Sequence, residues 1–391
     1  MPATWQQTYE QLKAFIAAHP SIEISPSCVV ITGDIRPEFY RLFDTIRVDF
    51  IKENFPGELA KGYELGRNWS EVSQAVIESM GIEEIEITAG VKWFMADPVN
   101  GLMRGLFDPL FDLLKDRTDL ASFEKKARDV VAADFERFFR EGYHRWASIS
   151  LIKDLDGDKV YSVPAIDYNN NASEMEGDPS GGLREDSVPE AEETKRIVFE
   201  YAMICSYLVP RIIIHSRKLN RYVAFRADFY EAKWKARLLS ENREWLNIKA
   251  IEQELGRSDL WPNLAIYVAD DLRDLFLVSD YHKVARPDVM VDFKEKENWY
   301  ESEGLASIQR HYDALMPIMG AFLVSRVPVP EAAAKELEPK PVSATECAPE
   351  PSAESAPERQ IRLIGAGYNQ ASLHPVLDAI EAAAALPEQP E

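Results

Sequence analysis

Cysteine is nearly absent: 391 residues hold three, Cys28, Cys205 and Cys347, and no two stand at zinc-ligand spacing. So sparse and odd a set excludes a disulfide framework. Histidine is scarce too. The six residues show no two-ligand spacing, which leaves no metal site to name from them. Long apolar runs are missing. The longest, Ala314 to Val324, contains Pro317 and falls short of the roughly 20 residues that a membrane span requires. The opening Met1-Pro-Ala-Thr-Trp5 lacks the basic and apolar regions of a secretory signal, so the expected location is the cytoplasm. Positive charge is also in deficit. The net charge is −22, of which −7 falls in residues 327–391 and −15 in the rest. A body of that sign is repelled by phosphate backbones and anionic lipid, so proteins or small molecules are the expected partners, not nucleic acid or membrane.

What is present is enough to fold. Hydrophobic residues make up 46% and aromatics 10%, sufficient for a large core without staples. Helical spacing marks Thr4 to His19, Pro37 to Asn54, Asn68 to Met80 and Leu102 to Lys115, and most clearly Asp119 to Gly142, where Phe123, Ala127, Val131, Phe135, Phe138 and Phe139 recur at steps of three and four. Short β-rich runs suggest strands at 28–32, 85–87, 91–95, 212–214, 222–225, 264–268, 275–278 and 289–293. A hairpin is expected from Ala147–Ile152 and Lys159–Val163. Helices are expected over about 187–208, 228–255 and 303–316. Grouped rather than alternating elements point to an α+β fold, mostly helical, with a small mixed or antiparallel sheet.

Four regions follow. Residues 1–146 read as a mainly helical part. Residues 147–326 read as an α+β part with a mobile acidic loop at 167–193, where nine acids face one base. From Val327 to Glu358, 21 of 32 residues are Pro, Ala or Glu, so 327–360 reads as a disordered linker. Apolar character returns in 361–391, where Ile364, then Val376, Leu377 and Ile380 on one side of a helix, form a candidate partner-binding face.

Three constellations bear on chemistry. If Leu275–Val278 and Val289–Phe293 form a hairpin, Asp274 lies near Asp292 and Lys294. An acid followed on the next strand by acid-x-Lys is the arrangement of metal-dependent nucleases of the restriction-endonuclease type, in which carboxylates hold Mg²⁺ and the lysine positions water. A solvated strand end explains the same residues. Between Arg211 and Lys249, ten bases outnumber four acids, so Arg217, Lys218, Arg221 and Lys235 form a candidate anion site, or pair with the chain's own acids. Gly365-Ala-Gly367 opens like a dinucleotide fingerprint, but Gln370 replaces the third glycine and only 24 residues follow Gly367. No cofactor is therefore expected. Asp154, Asp156 and Asp158 alternate like calcium ligands but lack the loop's glycine and final glutamate, which leaves turn chemistry as the better account.

The reading that joins these features is a non-catalytic accessory or assembly protein that binds a protein partner, in part through its tethered C-terminal peptide. The alternative is a metal-dependent phosphodiesterase at Asp274, Asp292 and Lys294.

Overall fold

The computed structural model describes residues 4–25, 28–31, 33–162, 192–199, 212–227, 237–239, 245–247, 262–278, 283–301, 304–337 and 361–386. The fold is α+β. The chain divides into two compact units, one of residues 1–71 and 87–146, the other of 72–86 and 147–391.

The first unit is helical. Helix α1 (Trp5–Ala18) opens with a capping box: the Gln7 N–H donates to Thr4 Oγ1 at 3.3 Å, and the Thr4 N–H to Gln7 Oε1 at 3.0 Å. Along α2 (Arg36–Asn54), Phe39, Leu42, Phe43, Ile46 and Phe50 are all buried, as their spacing predicts. Trp5 meets Phe50 edge-on at 5.4 Å. A minimal hairpin, β1 (Glu23–Ile24) with β2 (Val29–Val30), joins α1 to α2. Helix α3 (Pro56–Met80) starts well before the expected Asn68, with Pro56 in the first turn, where its missing N–H costs nothing. Its residues from Val72 onward belong to the second unit.

The strand expected over Val91–Met95 is instead part of α4 (Ala89–Ala96). Val91, Phe94 and Met95 are buried together, a spacing of three and four that a helix satisfies and a strand does not. Helices α5 (Pro98–Met103) and α6 (Phe107–Leu114) follow. Gly66 allows α3 to cross against α4, since a Cβ there would stand 2.1 Å from the Met95 carbonyl oxygen. Helix α7 (Leu120–Asp154) is capped by Asp119, whose Oδ1 accepts the Ser122 N–H at 2.8 Å. It runs past Gly142 through the expected strand Ala147–Ile152. Those residues, Ser148 and Ser150 included, are all buried, so their alternation of apolar residues with serine does not separate a buried face from an exposed one and does not tell a strand from a buried helix.

The second unit is built on an eight-stranded mixed sheet, larger than the small sheet expected from the grouping of elements. Between its strands the chain makes three further pairings: β3 (Glu84–Glu86) parallel to β6 (Arg196–Val198), β9 (Arg237–Leu239) antiparallel to β12 (Phe276–Val278), and β10 (Trp245–Asn247) antiparallel to β13 (Lys283–Ala285). The main sheet takes β4 (Gly157–Ser162), β5 (Glu192–Thr194), β7 (Ile212–Ser216), β8 (Arg221–Ala227), β11 (Leu264–Ala269), β14 (Val289–Lys294), β15 (Ala321–Ser325) and β16 (Ile361–Gly365), in the order 16-15-14-11-8-7-4-5. β14, β15 and β16 run parallel, and every other neighbouring pair is antiparallel.

The expected hairpin of β4 with Ala147–Ile152 gives way to pairing of β4 with β5 and β7. The helix expected over 187–208 is a strand at Ile197 and Val198, and its expected start at 187–191 lies outside the described residues. The helix expected over 228–255 holds β9 and β10 in its described part. In both places pairing with a distant strand outweighs local helical spacing. The acidic loop falls outside the described residues up to residue 191; Glu192 and Glu193 lie in β5.

Helix α8 (Gly304–Leu315) connects β14 to β15. Its Leu305, Ile308, Tyr312 and Leu315, with Trp299, cover Ala265, Tyr267, Met290, Ala321 and Leu323 on one sheet face. Helix α9 (Glu331–Leu337) lies within the expected linker, and its Ala333 is buried in the same cluster. Residues 338–360 lie outside the described part. The Trp299 Nε1–H donates to Ser325 Oγ at 2.7 Å within this core, and the Val327 N–H to the same oxygen at 3.2 Å. Ser325→Ala is expected to cost about 1–2 kcal/mol by orphaning the buried Trp299 Nε1–H and the partly buried Val327 N–H, with a shift in Trp299 fluorescence. A urea titration monitored at tryptophan checks it.

Candidate functional site

The site begins with β11, whose six residues are all buried, and with β14, where only Lys294 is partly exposed. The register Leu264↔Val291, Ala265↔Met290 and Ile266↔Val289 gives these strands a short ladder. Side chains lengthen it at both ends. The Asn263 N–H donates to Asp292 Oδ1 at 3.0 Å, and the Phe293 N–H to Asn263 Oδ1 at 2.8 Å. At the other end, the Val268 N–H donates to Asp288 Oδ2 at 2.6 Å. Asp292 is 1% exposed and Asp288 5%, so each buried carboxylate is satisfied in part by a backbone N–H. Lys294 Nζ stands 4.0 Å from Asp292 Oδ2.

Of the three acid-x-Lys residues, the fold therefore brings Asp292 and Lys294 together and leaves Asp274 elsewhere. The expected hairpin does not form: 276–278 pairs with β9, while β14 pairs with β11 and β15. Asp274 sits in the 3₁₀ turn Leu272–Leu275, past the end of β11 remote from Asp292. The longer, wholly apolar β11 outcompetes a three-residue strand for β14, because it buries more surface. By register, the position facing Asp292 belongs to Asn263. A nuclease-type divalent cation needs converging carboxylates. Asn263 instead offers a neutral amide whose oxygen already accepts a backbone N–H, and these residues do not fit such a clamp. Among the described residues, no group of three or more His, Cys, Asp or Glu is placed to hold a metal ion.

The candidate anion residues are engaged by the chain's own acids. Arg217 donates to Asp156 at 2.6 and 3.3 Å, Lys218 is hydrogen-bonded to Glu381, and Arg221 pairs with Asp270. Lys235 lies outside the described residues. The hydrogen bond from Arg217 holds the Asp156 carboxyl below its ordinary value, and the one to Glu381 raises Lys218. Because the folded value of Asp156 is depressed, its contribution to stability is present above the unfolded value and is lost as pH falls through the folded one. A ¹³C carboxylate titration is expected to place the Asp156 midpoint below the usual ~3.9, moving up in Arg217→Gln. An unmoved midpoint in that variant would remove the pair as the cause.

The C-terminal segment lies on the chain's own sheet. β16 adds to the edge of β15 in parallel register, Ala321↔Ile361 to Ser325↔Gly365. The Ala366 N–H then donates to the Ser325 carbonyl at 2.8 Å, and Gly367 turns the chain at φ +55°, where side chains are strained. A 3₁₀ turn (Gln370–Leu373) leads into α10 (His374–Ala384), which packs against β11 and β14. Val376 and Ile380 are fully buried, and Ile364 and Leu377 nearly so. Of the four residues read from sequence as a partner-binding face, Ile364 is part of the sheet itself, and Val376, Leu377 and Ile380 lie on the helix that packs against it.

One pairing escaped the sequence reading. Across β4 and β7, His215 Nδ1 lies 2.8 Å from Asp158 Oδ1, with Tyr222 5.2 Å from the imidazole and Tyr161 against Tyr222. Burial raises Tyr161 above its ordinary value, and its bond to Tyr222 adds to that. The two members are 57 residues apart, and only the ladder placing Lys159 opposite His215 reveals them.

No family model, curated protein or solved structure matches this chain. Among the described residues, no helix is long and apolar enough to cross a membrane.

Proposed function

We propose that this chain is a non-catalytic accessory or assembly protein that binds a protein partner and uses its C-terminal segment in doing so. The observation that supports this is the C-terminal element itself. A complete strand–turn–helix, buried through Ile364, Val376, Leu377 and Ile380, is joined to the body by far more chain than its position requires. Strand addition to a sheet edge and a helix laid on an apolar face are two of the ways in which proteins capture peptides. The acid-x-Lys pair, the chain's sharpest catalytic candidate, is bound into the β11–β14 ladder.

The test is native co-purification from the source cell with the intact chain and with Ile380→Asp. A stoichiometric partner held by the first and lost from the second supports the reading. Equal recovery with both removes the C-terminal segment from it, and recovery of nothing with either removes the reading. The competing phosphodiesterase reading rests on the juxtaposition of Asp292 and Lys294. It predicts Mg²⁺-stimulated cleavage of DNA or RNA that Asp292→Asn abolishes, and inactivity across substrates and metals would end it.

A further inference from the structure

Among the described residues, the large aromatics left exposed are Tyr63 at 50%, Trp93 at 40% and Phe107 at 39%, and all three belong to the first unit. Apolar residues exposed singly need no explanation, whereas a group of them marks an interaction surface. This group is assembled locally. The buried side of α4 takes Val91, Phe94 and Met95, which leaves Trp93 on its outer side. Asp97 ends α4 and caps α5, and its carboxylate accepts the Val99 N–H at 3.0 Å, the Asn100 amide at 2.8 Å and the Tyr63 hydroxyl at 3.3 Å. Tyr63 is thereby tied to the end of the helix that carries Trp93. From the turn after α5, the Arg104 guanidinium lies over the Trp93 ring, 3.0 Å from its centroid. Three residues on, Phe107 opens α6 with its ring 5.4 Å from Phe43 and the Arg47 guanidinium 5.3 Å away.

The charges at this surface are unequal. Asp97 is engaged by three donors, while the exposed Arg104 pairs with no acid among the described residues. Elsewhere in the unit, Arg41, Arg117 and Arg137 have found Glu38, Asp112 and Asp134. Arg67, Arg128 and Arg140 are unpaired as well, but no exposed ring holds them. Stacking restrains the Arg104 guanidinium, whose fork of N–H groups matches a carboxylate in bidentate geometry. Tryptophan, tyrosine and arginine are also the residue types concentrated in binding hot spots.

We infer that Tyr63, Trp93, Arg104 and Phe107 form a docking surface for an acidic segment of a protein partner. A Glu or Asp carboxylate of the segment bonds Arg104, and apolar side chains beside it cover the aromatic rings. The inference rests on the partner-binding reading above and adds a contact on the first unit to that of the C-terminal segment. Nucleic acid is the less suited occupant, because one unpaired arginine in a chain of net charge −22 does not offset the repulsion of a phosphate backbone. A short acidic segment carries few charges, and those more than about 8 Å away are largely screened at physiological salt.

The experiment selects a random peptide library displayed on phage against the intact chain and measures the enriched peptides on variants by fluorescence anisotropy. Enriched sequences are expected to place Asp or Glu beside large apolar residues. Trp93→Ala and Arg104→Ala are each expected to weaken such a peptide about 30-fold, as hot-spot residues do, while Arg128→Ala leaves its affinity unchanged. Arg104→Lys keeps the charge and loses the fork, so it is expected to hold only part of the affinity. Exchanging the peptide's acids for Gln or Asn should weaken binding to the wild type and not to Arg104→Ala. These side chains are exposed, so urea midpoints of the variants should match the wild type. No enrichment, enrichment of sequences without acids, or acidic peptides that bind Arg104→Ala as tightly as the wild type overturns the inference. So does a single-stranded oligonucleotide that displaces the peptide and binds more tightly. A partner that co-purifies through Ile380 while no acidic peptide is enriched leaves the function reading standing and removes this one alone.

Discussion

Ile380→Asp is expected to strip amide-exchange protection from residues 361–365 and α10 while β8 and β11 keep theirs. Ile380 is fully buried, beside Val376 and Leu377, on the face that α10 turns to β11 and β14. Truncating such a side chain costs about 2–5 kcal/mol. Placing a carboxylate there adds the desolvation of a charge for which the site's apolar neighbours offer no compensation, so the penalty exceeds about 4 kcal/mol. The element being lost is peripheral: β16 is the edge strand and has one neighbour in the sheet. Undocking therefore relieves the strain more readily than global unfolding. Glu381→Gln, which removes only the rim pair with Lys218, serves as the control and should change protection by about twofold at most. Hydrogen exchange read by mass spectrometry decides between the two outcomes. Unchanged protection at 361–365 in Ile380→Asp would mean that burial of α10 does not hold β16 in place.

The second large effect concerns Asp292. Asp292→Ala is expected to destabilise the second unit by about 3 kcal/mol, because it takes the acceptor from the partly buried Asn263 N–H and leaves Lys294 beside an apolar methyl. Asp292→Asn should cost about 1 kcal/mol, since an amide oxygen still accepts that N–H. Urea unfolding of the three proteins ranks them, and a wild-type midpoint in Asp292→Ala would show that the carboxylate is not needed to hold β11 to β14. The same pair of variants separates structure from chemistry. A residue whose role is catalytic would lose its reaction in Asp292→Asn with little loss of stability, and one whose role is structural shows its cost mainly in Asp292→Ala.

Much of the molecule was legible without coordinates, and what was legible was local. The α2 stripe, the start of α1 at Thr4, the β7 and β8 strands and α8 declare themselves through spacing and residue types that act within a few residues. The class of fold followed from how those elements were grouped. The helical face of Val376, Leu377 and Ile380 was also visible, because apolar periodicity shows that a face must be buried. It does not say against what, and the chain's own sheet took it.

Only tertiary structure decided the rest, for one physical reason. Pairing energy in a sheet comes from partners remote in sequence, and nothing at 275–278 states that β9 will pair with it while β11 takes β14. That choice separated Asp274 from Asp292 and set Asn263 in the facing position. The same holds for Ile197 and Val198, drawn from a helical pattern into β6 by Ile85 and Glu86, and for His215, brought to Asp158 by the β4–β7 ladder. The amino-acid sequence by itself determined which faces had to be hidden and where helices could start. The competition among strands for the largest buried surface determined which side chains finally met.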